Sequence, residues 1–223
     1  MSYFQIGSLS LPSIWLTVVA SLFTASLFHL VVKRKKVGEW YWNGFFLYFL
    51  TWKLSYILFN FNLFIDMPLS VAYFNGGTKG HLLALALLSI YLLFFAWKKD
   101  SSVYKETTQL FFLFFISHEA LIHIIERNMI ESIVQVILLA CFISLLFILK
   151  RKKRLITGQL FFLFLLLQLF VISLFNSILS VEALTFIWLG ITAFLSVTFG
   201  KRGDPLITIQ TILKIKKEDS SIE

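Results

Sequence analysis

The chain has 223 residues, of which 58% are hydrophobic and only 14% are charged, and its mean hydropathy is +0.84. Soluble domains carry about 25% charged residues, so this composition excludes a soluble globular domain and is typical of a polytopic membrane protein. The formal net charge of +8 does not indicate nucleic-acid binding, because the basic residues cluster at the ends of apolar segments. We therefore predict an all-α integral membrane protein with no nucleic-acid partner.

Seven apolar segments are long enough to span a bilayer, since about 20 apolar residues cross the hydrocarbon core. They cover residues 12–32, 42–63, 81–97, 108–125, 130–149, 158–179 and 183–199. The connections between them are too short to hold a folded soluble domain. We predict a seven-helix transmembrane domain over residues 1–200 and a polar cytoplasmic tail over residues 201–223. The tail is interpreted as a frayed segment or as an amphipathic helix on anionic lipid.

The positions of lysine and arginine predict the orientation of these helices. All of them except Lys53, Lys79 and Arg127 fall in the segments 33–36, 98–105, 150–154 and 201–217. Because basic residues are enriched on the cytoplasmic side, the amino terminus is predicted outside and the carboxyl terminus inside. The first apolar segment has no basic leader, so we interpret it as a retained span rather than a cleaved signal peptide.

Ionisable residues inside the predicted spans are candidates for function, because a charge at the bilayer centre costs at least about 2.5 kcal/mol. Lys53 lies in the second span and either pairs with a buried carboxylate or faces an anionic lipid headgroup. In the fourth span Glu119, His123 and Glu126 fall on one helical face. A Lys53–Glu119 ion pair would make both spans tolerable in the membrane.

The fourth span also contains His118-Glu119, followed by His123, which resembles the zinc-binding H-E-x-x-H motif. In that motif the histidines are four residues apart and share a helical face. Here they are five residues apart and roughly 140° apart around the helix, so they cannot both bind one ion. We predict no metal and no cofactor. The single cysteine, Cys141, excludes an intramolecular disulfide and is expected to be buried.

A glycine-rich segment, FNGGTKGH at residues 74–81, connects the second and third spans. It contains Gly76, Gly77 and Lys79, and His81 is placed at the start of the third span. Glycine permits positive φ and close backbone approach, and a helix N-terminus favours anions. The segment therefore predicts a phosphate-binding turn on the external side. An ordinary turn with an interfacial histidine is the alternative interpretation.

The order of residues here resembles the prolipoprotein diacylglyceryl transferase family of bacteria. The shared features are a basic residue, a tyrosine, a proline, a glycine pair and a histidine four residues after that pair. In this chain they are Lys53, Tyr56, Pro68, Gly76-Gly77 and His81. A weaker likeness to the family's amino-terminal segment and last two spans covers residues 4–7, 14–15, 158–175 and 188–190.

This resemblance implies transfer of a diacylglyceryl group from phosphatidylglycerol to the cysteine thiol of a preprolipoprotein, with release of glycerol phosphate. It also implies multi-pass insertion in the bacterial cytoplasmic membrane. His81 is then the catalytic group next to the thiol, and Lys53 and Lys79 hold the phosphate. The substrate-binding residues that we predict are Lys53, Tyr56, Gly76, Gly77, Lys79, Glu119 and His123.

The chain departs from the family pattern at several positions. His81 is followed by two leucines instead of Gly-Gly, and the arginine-asparagine signature near the fourth span is replaced by residues 121–131. The arginine and glutamate of the family's sixth span are also missing. These differences leave two classes of function open, an active transferase with a rearranged site and a non-catalytic protein that binds phospholipid, a lipoprotein or another membrane protein.

A channel or transporter is a third class, for which the sequence offers no inverted repeat and few polar lining residues. For the first two classes we hypothesise that Lys53, His81 and Glu119 line one cavity that opens towards the outer leaflet and holds a phospholipid headgroup.

Overall fold

The computed structural model describes residues 3–6, 9–98, 101–152, 156–175, 177 and 179–202. A short antiparallel hairpin, β1 (Tyr3–Ile6) and β2 (Leu9–Pro12), precedes the helices. The helices are α1 (Ser13–Lys33), α2 (Glu39–Phe59), α3 (Phe61–Asp66), α4 (Ser70–Tyr73), α5 (Gly77–Trp97), α6 (Ser101–Ile125), α7 (Met129–Arg151), α8 (Gly158–Phe175) and α9 (Val181–Arg202). Most of the predicted tail, residues 203–223, lies outside the described residues.

Six helices of the described chain are long and apolar enough to cross a membrane, namely α1 and α5 to α9. The chain is therefore a multi-pass helical membrane protein. The remaining predicted span, residues 42–63, corresponds to α2, which has 21 residues but many aromatic residues and an internal lysine that lower its hydropathy. This helix ends at Phe59, because Asn60 leaves the helical conformation with φ −134° and ψ 45°. Seven spans and the orientation stay predictions.

The chain forms two compact units, each built from two segments. Unit 1 comprises Met1–Val37 and Lys105–Gly190, and unit 2 comprises Gly38–Tyr104 and Ile191–Glu223, as far as these residues are described. Helices α6 and α9 each belong partly to both units. A unit composed of distant segments depends on long-range contacts, and these are described below for each unit separately.

Helix α6 is the most buried of the six spans: 72% of an apolar 18-residue stretch between Glu106 and Ile125 is buried, against 22–39% of the corresponding stretches in the other spans. Within unit 1 its phenylalanines contact three other helices. The centroid of Phe111 lies 5.1 Å from that of Phe186 on α9, and the centroid of Phe112 lies 5.3 Å from those of Phe142 on α7 and Phe161 on α8. Because lipid is as apolar as phenylalanine, close packing rather than transfer from water holds these helices together.

Helices α1 and α6 run antiparallel in unit 1. Thr17 Oγ1 lies 3.3 Å from His118 Nε2, and His29 Nε2 lies 3.9 Å from Glu106 Oε1, so twelve residues along one helix match twelve along the other. At the Glu106 end, Lys33 is close enough to interact electrostatically with both Glu106 and Lys150. Two of the basic clusters therefore lie at the same end of unit 1, as the predicted orientation requires.

The main contact of unit 2 is an antiparallel pair formed by α2 and α5. Gly76 N–H donates to the Trp52 carbonyl over 3.0 Å at one end, and the Tyr91 hydroxyl donates to the Trp40 carbonyl over 3.3 Å at the other. A Cβ added to Gly44, between these contacts, would lie 3.3 Å from Leu88 Cδ1. Small residues therefore let the two helices approach closely.

Cys141 is not buried, contrary to expectation. The buried face of α7 contains Ser132, Gln135, Leu138, Phe142 and Leu146, which recur every three or four residues. Cys141 lies beside this stripe rather than within it, so the thiol is on the outer surface of the helix. Its apolar neighbourhood in the sequence indicated a span but not which side of the span faces the protein.

We predict that Gly80→Ala destabilises the α2–α5 pair, because a Cβ at Gly80 would collide with the Ser55 hydroxyl and lie 3.2 Å from the Trp52 carbonyl oxygen. Overpacking of this kind costs about 1–3 kcal/mol. Thermal unfolding of the detergent-solubilised protein measures this cost.

The matched background is Ser55→Ala, which removes the hydroxyl that the new Cβ would strike. We expect a smaller cost of Gly80→Ala in the Ser55→Ala protein than in the wild type. Equal costs in the two backgrounds would contradict the role of this contact.

Candidate functional site

The glycine-rich turn holds the beginning of α5 against α2 in unit 2. Gly77 has φ +58°, a left-handed conformation that glycine adopts without strain. The Asn75 side-chain oxygen accepts a hydrogen bond of 2.9 Å from the Gly77 N–H. A Cβ at Gly76 or Gly80 would collide with the Ser55 hydroxyl. The glycines are therefore needed for the turn and for close contact between the helices.

Helix α5 begins at Gly77, four residues earlier than the predicted span, so His81 lies in its second turn rather than at its start. The N–H groups of Thr78 and Lys79 belong to the first helical turn, where no preceding carbonyl of the helix can accept them. The Lys79 side chain is exposed, and its Nζ lies 6.0 Å from the centroid of the Phe59 ring. The positive end of the α5 dipole and the Lys79 ammonium group are therefore at the same end of the helix.

His81 is held by Tyr48, a residue that the sequence interpretation did not include. The Tyr48 hydroxyl oxygen lies 2.6 Å from His81 Nδ1, and the two rings meet edge to face with centroids 5.9 Å apart. This contact orients the imidazole against α2. Tyr48, Trp52 and Ser55 recur at helical spacing on α2, and this periodicity is the signal that could have revealed the residue.

Tyr56, predicted to bind substrate, is only 5% exposed. Its ring stacks on Phe74 with a centroid distance of 5.7 Å. Phe74 is the first residue of the glycine-rich segment, so this stacking holds the start of the segment against α2. The Tyr56 ring is therefore part of the packing, and its role in substrate binding stays a prediction.

Lys53 does not lie on the side of α2 that contacts α5. The α5-facing residues are Gly44, Tyr48, Trp52 and Ser55. At 100° per residue, Lys53 points roughly 145° away from their mean direction. The structure therefore does not bring Lys53 and His81 onto one face, and the cavity hypothesised for them is not supported. Glu119, the third residue of that hypothesis, belongs to unit 1.

Unit 1 contains a connected group of buried ionisable residues centred on Glu119, which is 6% exposed. Glu119 Oε1 lies 3.8 Å from His118 Nδ1, and Oε2 lies 3.4 Å from His123 Nε2. The group continues from His123 Nδ1 to Glu131 Oε2 over 2.7 Å, in the geometry of an ion pair rather than a directed hydrogen bond. At its other end, His118 contacts the Thr17 hydroxyl.

A tight turn after α6 brings Glu131 to His123. The helix ends at Ile125, and Arg127 adopts a left-handed conformation with φ 62°. Asn128 N–H then donates to the His123 carbonyl over 2.9 Å, which closes the end of the helix. The Asn128 side-chain amide lies 3.5 Å from Glu131 Oε2 and orients this carboxylate towards the histidine.

This arrangement makes Glu119 tolerable within unit 1 without Lys53, because two imidazoles share the carboxylate. Glu119 and His123 face the same side of α6, as their spacing predicts, whereas Glu126 lies in the exposed turn after the helix. In the described residues, no three His, Cys, Asp or Glu side chains are arranged to hold a metal ion. A carboxylate between two imidazoles is suited to accepting and passing protons.

Thr17 and Glu131 were missed by the sequence interpretation for different reasons. Thr17 is 101 residues from His118, and no local pattern links the two positions. Glu131 was visible as an acidic residue in the first turn of α7, and the short connection from α6 was the available signal.

We predict that Glu119→Gln lowers the free energy of unfolding by about 1–3 kcal/mol, because it removes a carboxylate that two buried imidazoles share. Thermal unfolding in detergent at neutral pH provides the measurement. Glu126→Gln is the matched control, since the same chemical change falls on an exposed residue and should cost less than about 0.5 kcal/mol. Similar losses for both variants would contradict a specific role of the Glu119 contacts.

Comparisons with known proteins add no family to this description. No family model matches the chain, and no curated protein and no solved structure matches it either. The likeness to the diacylglyceryl transferase family therefore rests on the residues quoted above, and the activity that it implies is argued below as a proposal.

Proposed function

We propose that this protein binds a phospholipid of the phosphatidylglycerol type at the start of α5 and transfers its diacylglyceryl group to the cysteine thiol of a lipoprotein. The observation that carries the proposal is the contact between Tyr48 and His81 beside the first turn of α5. An oriented imidazole next to a cationic helix end supplies the two kinds of group that this chemistry needs.

The lipid phosphate would be held at the beginning of α5. The helix dipole favours an anion at this end, where the first N–H groups have no preceding helical carbonyl to accept them, and the exposed Lys79 adds a full positive charge. A Cβ at Gly77 would have no heavy atom within 4 Å, so the backbone at this glycine is open to a ligand. In the predicted orientation this turn faces the outside, where the phosphate of an outer-leaflet lipid lies.

The thiol would be activated by His81. In the tautomer whose Nδ1–H donates to the Tyr48 oxygen, Nε2 is unprotonated and can accept the thiol proton. The thiolate then attacks the glyceryl carbon, so that a sulfur–carbon bond forms, the carbon–oxygen bond to phosphate breaks, and glycerol phosphate leaves. The charge that develops on the leaving phosphate is opposite in sign to Lys79. Neither step requires a metal or a cofactor.

The second candidate function is a non-catalytic protein that binds phospholipid, a lipoprotein or another membrane protein. The position of Lys53 favours it, because this lysine points away from the side of α2 where His81 lies. Lys79 is then the nearer cation to the proposed headgroup, whereas an anionic leaving group is stabilised better by several cations. Under either function the proposed location is the bacterial cytoplasmic membrane.

We predict that Lys79→Ala lowers retention of phosphatidylglycerol by several-fold, because it removes the cation at the binding turn. Native mass spectrometry of the protein released from mixed-lipid nanodiscs measures the bound lipid. Lys98→Ala is the matched control, since Lys98 follows the other end of α5 and its Nζ lies 4.5 Å from the Phe94 ring. Equal retention by both variants would contradict headgroup binding at this turn.

We predict that the wild-type chain, expressed in cells depleted of their own diacylglyceryl transferase, adds the diacylglyceryl mass to a reporter lipoprotein. His81→Ala should abolish the added mass, and Tyr48→Phe should slow its appearance by about tenfold, because the imidazole loses its orienting partner. Mass spectrometry of the reporter provides the measurement. If the wild-type protein is inserted but the reporter stays unmodified, transfer is refuted and the non-catalytic function remains.

A further inference from the structure

Unit 1 contains two series of neighbouring ionisable residues. Each series leads from a partly exposed side chain to a buried histidine. The first begins at Glu131, whose side chain is 21% exposed, and passes through His123 and Glu119 to His118. The successive distances are 2.7, 3.4 and 3.8 Å. Every residue in this series can gain and lose a proton.

The second series of residues lies at the other end of α6. The Lys35 ammonium, with a side chain 70% exposed, lies 3.7 Å from Glu106 Oε1. The same carboxylate oxygen lies 3.9 Å from Nε2 of His29, which is 1% exposed. Neither ring nitrogen of His29 makes a hydrogen bond to a described residue. A fully buried imidazole without hydrogen bonds is costly, so we expect a water molecule to bind the His29 ring.

The interval between the two series of residues runs along the contact between α1 and α6. Thr17 is level with His118 and His29 is level with Glu106, twelve residues or roughly 18 Å apart along each helix. Ser21 lies on the same stripe of α1 as Thr17 and His29, and all three are at most 1% exposed. Its hydroxyl donates to the Val18 carbonyl and keeps an oxygen free to accept from water.

Buried polar groups on α6 and on the helices packed against it also lack hydrogen-bond partners among the described residues. Hydrogen-bond partners in the described chain are missing for Ser117 Oγ, Gln109 Oε1, Gln135 Oε1 and both amide atoms of Gln168. The Phe112–Phe142 contact places Gln135 level with Glu119 on antiparallel helices, seven residues from the contact along each. In a bilayer an unsatisfied polar group is costly, so water is expected inside this part of unit 1.

We propose that unit 1 is a proton pathway along α1 and α6, with protons passing between the Glu131 end and the Lys35 end. Protons move by exchange between imidazoles and carboxylates, through His123, Glu119 and His118 at one end and through His29 and Glu106 at the other. Water bridges the interval beside Ser21. Each step breaks one N–H or O–H bond and forms another, so no cofactor or redox partner is required.

The charges around the pathway differ between its ends. Lys33 and Lys150 lie close to the Glu106 end, and Glu126 and Glu182 lie within electrostatic range of the histidines at the other. Basic residues therefore flank one end of the pathway, and acidic residues flank the other. The pathway is built from unit 1 alone and does not depend on the lipid chemistry proposed for α5.

The test is proton flux through the full-length protein in liposomes that contain a pH-sensitive dye, driven by a potassium diffusion potential set with valinomycin. We expect wild-type flux well above that of protein-free liposomes. Glu119→Gln and His29→Gln should each reduce it by about tenfold or more, because either change interrupts the exchange of protons. Glu39→Gln is the matched control, since Glu39 is an exposed residue of unit 2 and should not change the flux.

Ser21→Ala is the variant to use if the others do not fold, because it removes one hydroxyl and no charge. It should lower the flux several-fold without changing the amount of inserted protein. Wild-type flux equal to that of protein-free liposomes would overturn the proposal, as would wild-type flux in a correctly inserted Glu119→Gln protein. Neither result would bear on lipid retention or reporter modification, so the two proposals fail separately.

Discussion

The sharing of the Glu119 carboxylate by His118 and His123 is the interaction on which the rest of unit 1 depends. A buried carboxylate in a bilayer is costly unless nearby groups compensate its charge, and here two imidazoles lie beside it. Both imidazoles come from the same helix, and they are in turn held by Thr17 on α1 and Glu131 on α7. The need to compensate the charge of Glu119 therefore constrains how α1, α6 and α7 are aligned.

Unit 2 uses a different principle, the close approach of backbones. Gly76 and Gly80 form a G-x-x-x-G pair at the beginning of α5, and both lie directly against Ser55 of α2. Small residues at such spacing are a usual means of bringing helices together in membranes, where apolar side chains gain little from leaving lipid. Gly77, between these two glycines, has no heavy atom within 4 Å of its would-be Cβ. The packed and the open side of this turn are therefore formed by different glycines.

The spans were largely predictable, because length and apolar composition are local properties of the chain. Residues 12–32 lie almost entirely within α1, and residues 130–149 lie within α7. The second segment was extended too far, because its apolar composition continues past Asn60 although the helix stops there. The candidate residues were less predictable. Glu119 and His123 share a face as their spacing indicates, but Lys53 lies on the wrong side of α2 for the site predicted with His81.

By itself the sequence determined that this is a helical membrane protein, which segments are apolar, and that ionisable groups lie within them, since composition and periodicity carry this information. Only the tertiary structure decided which polar groups meet. His29, Gln135 and Gln168 are far apart in the chain and give no periodic signal, although all three are buried. Their burial in one unit depends on contacts between helices about a hundred residues apart, such as Thr17 with His118, and no local pattern encodes such contacts.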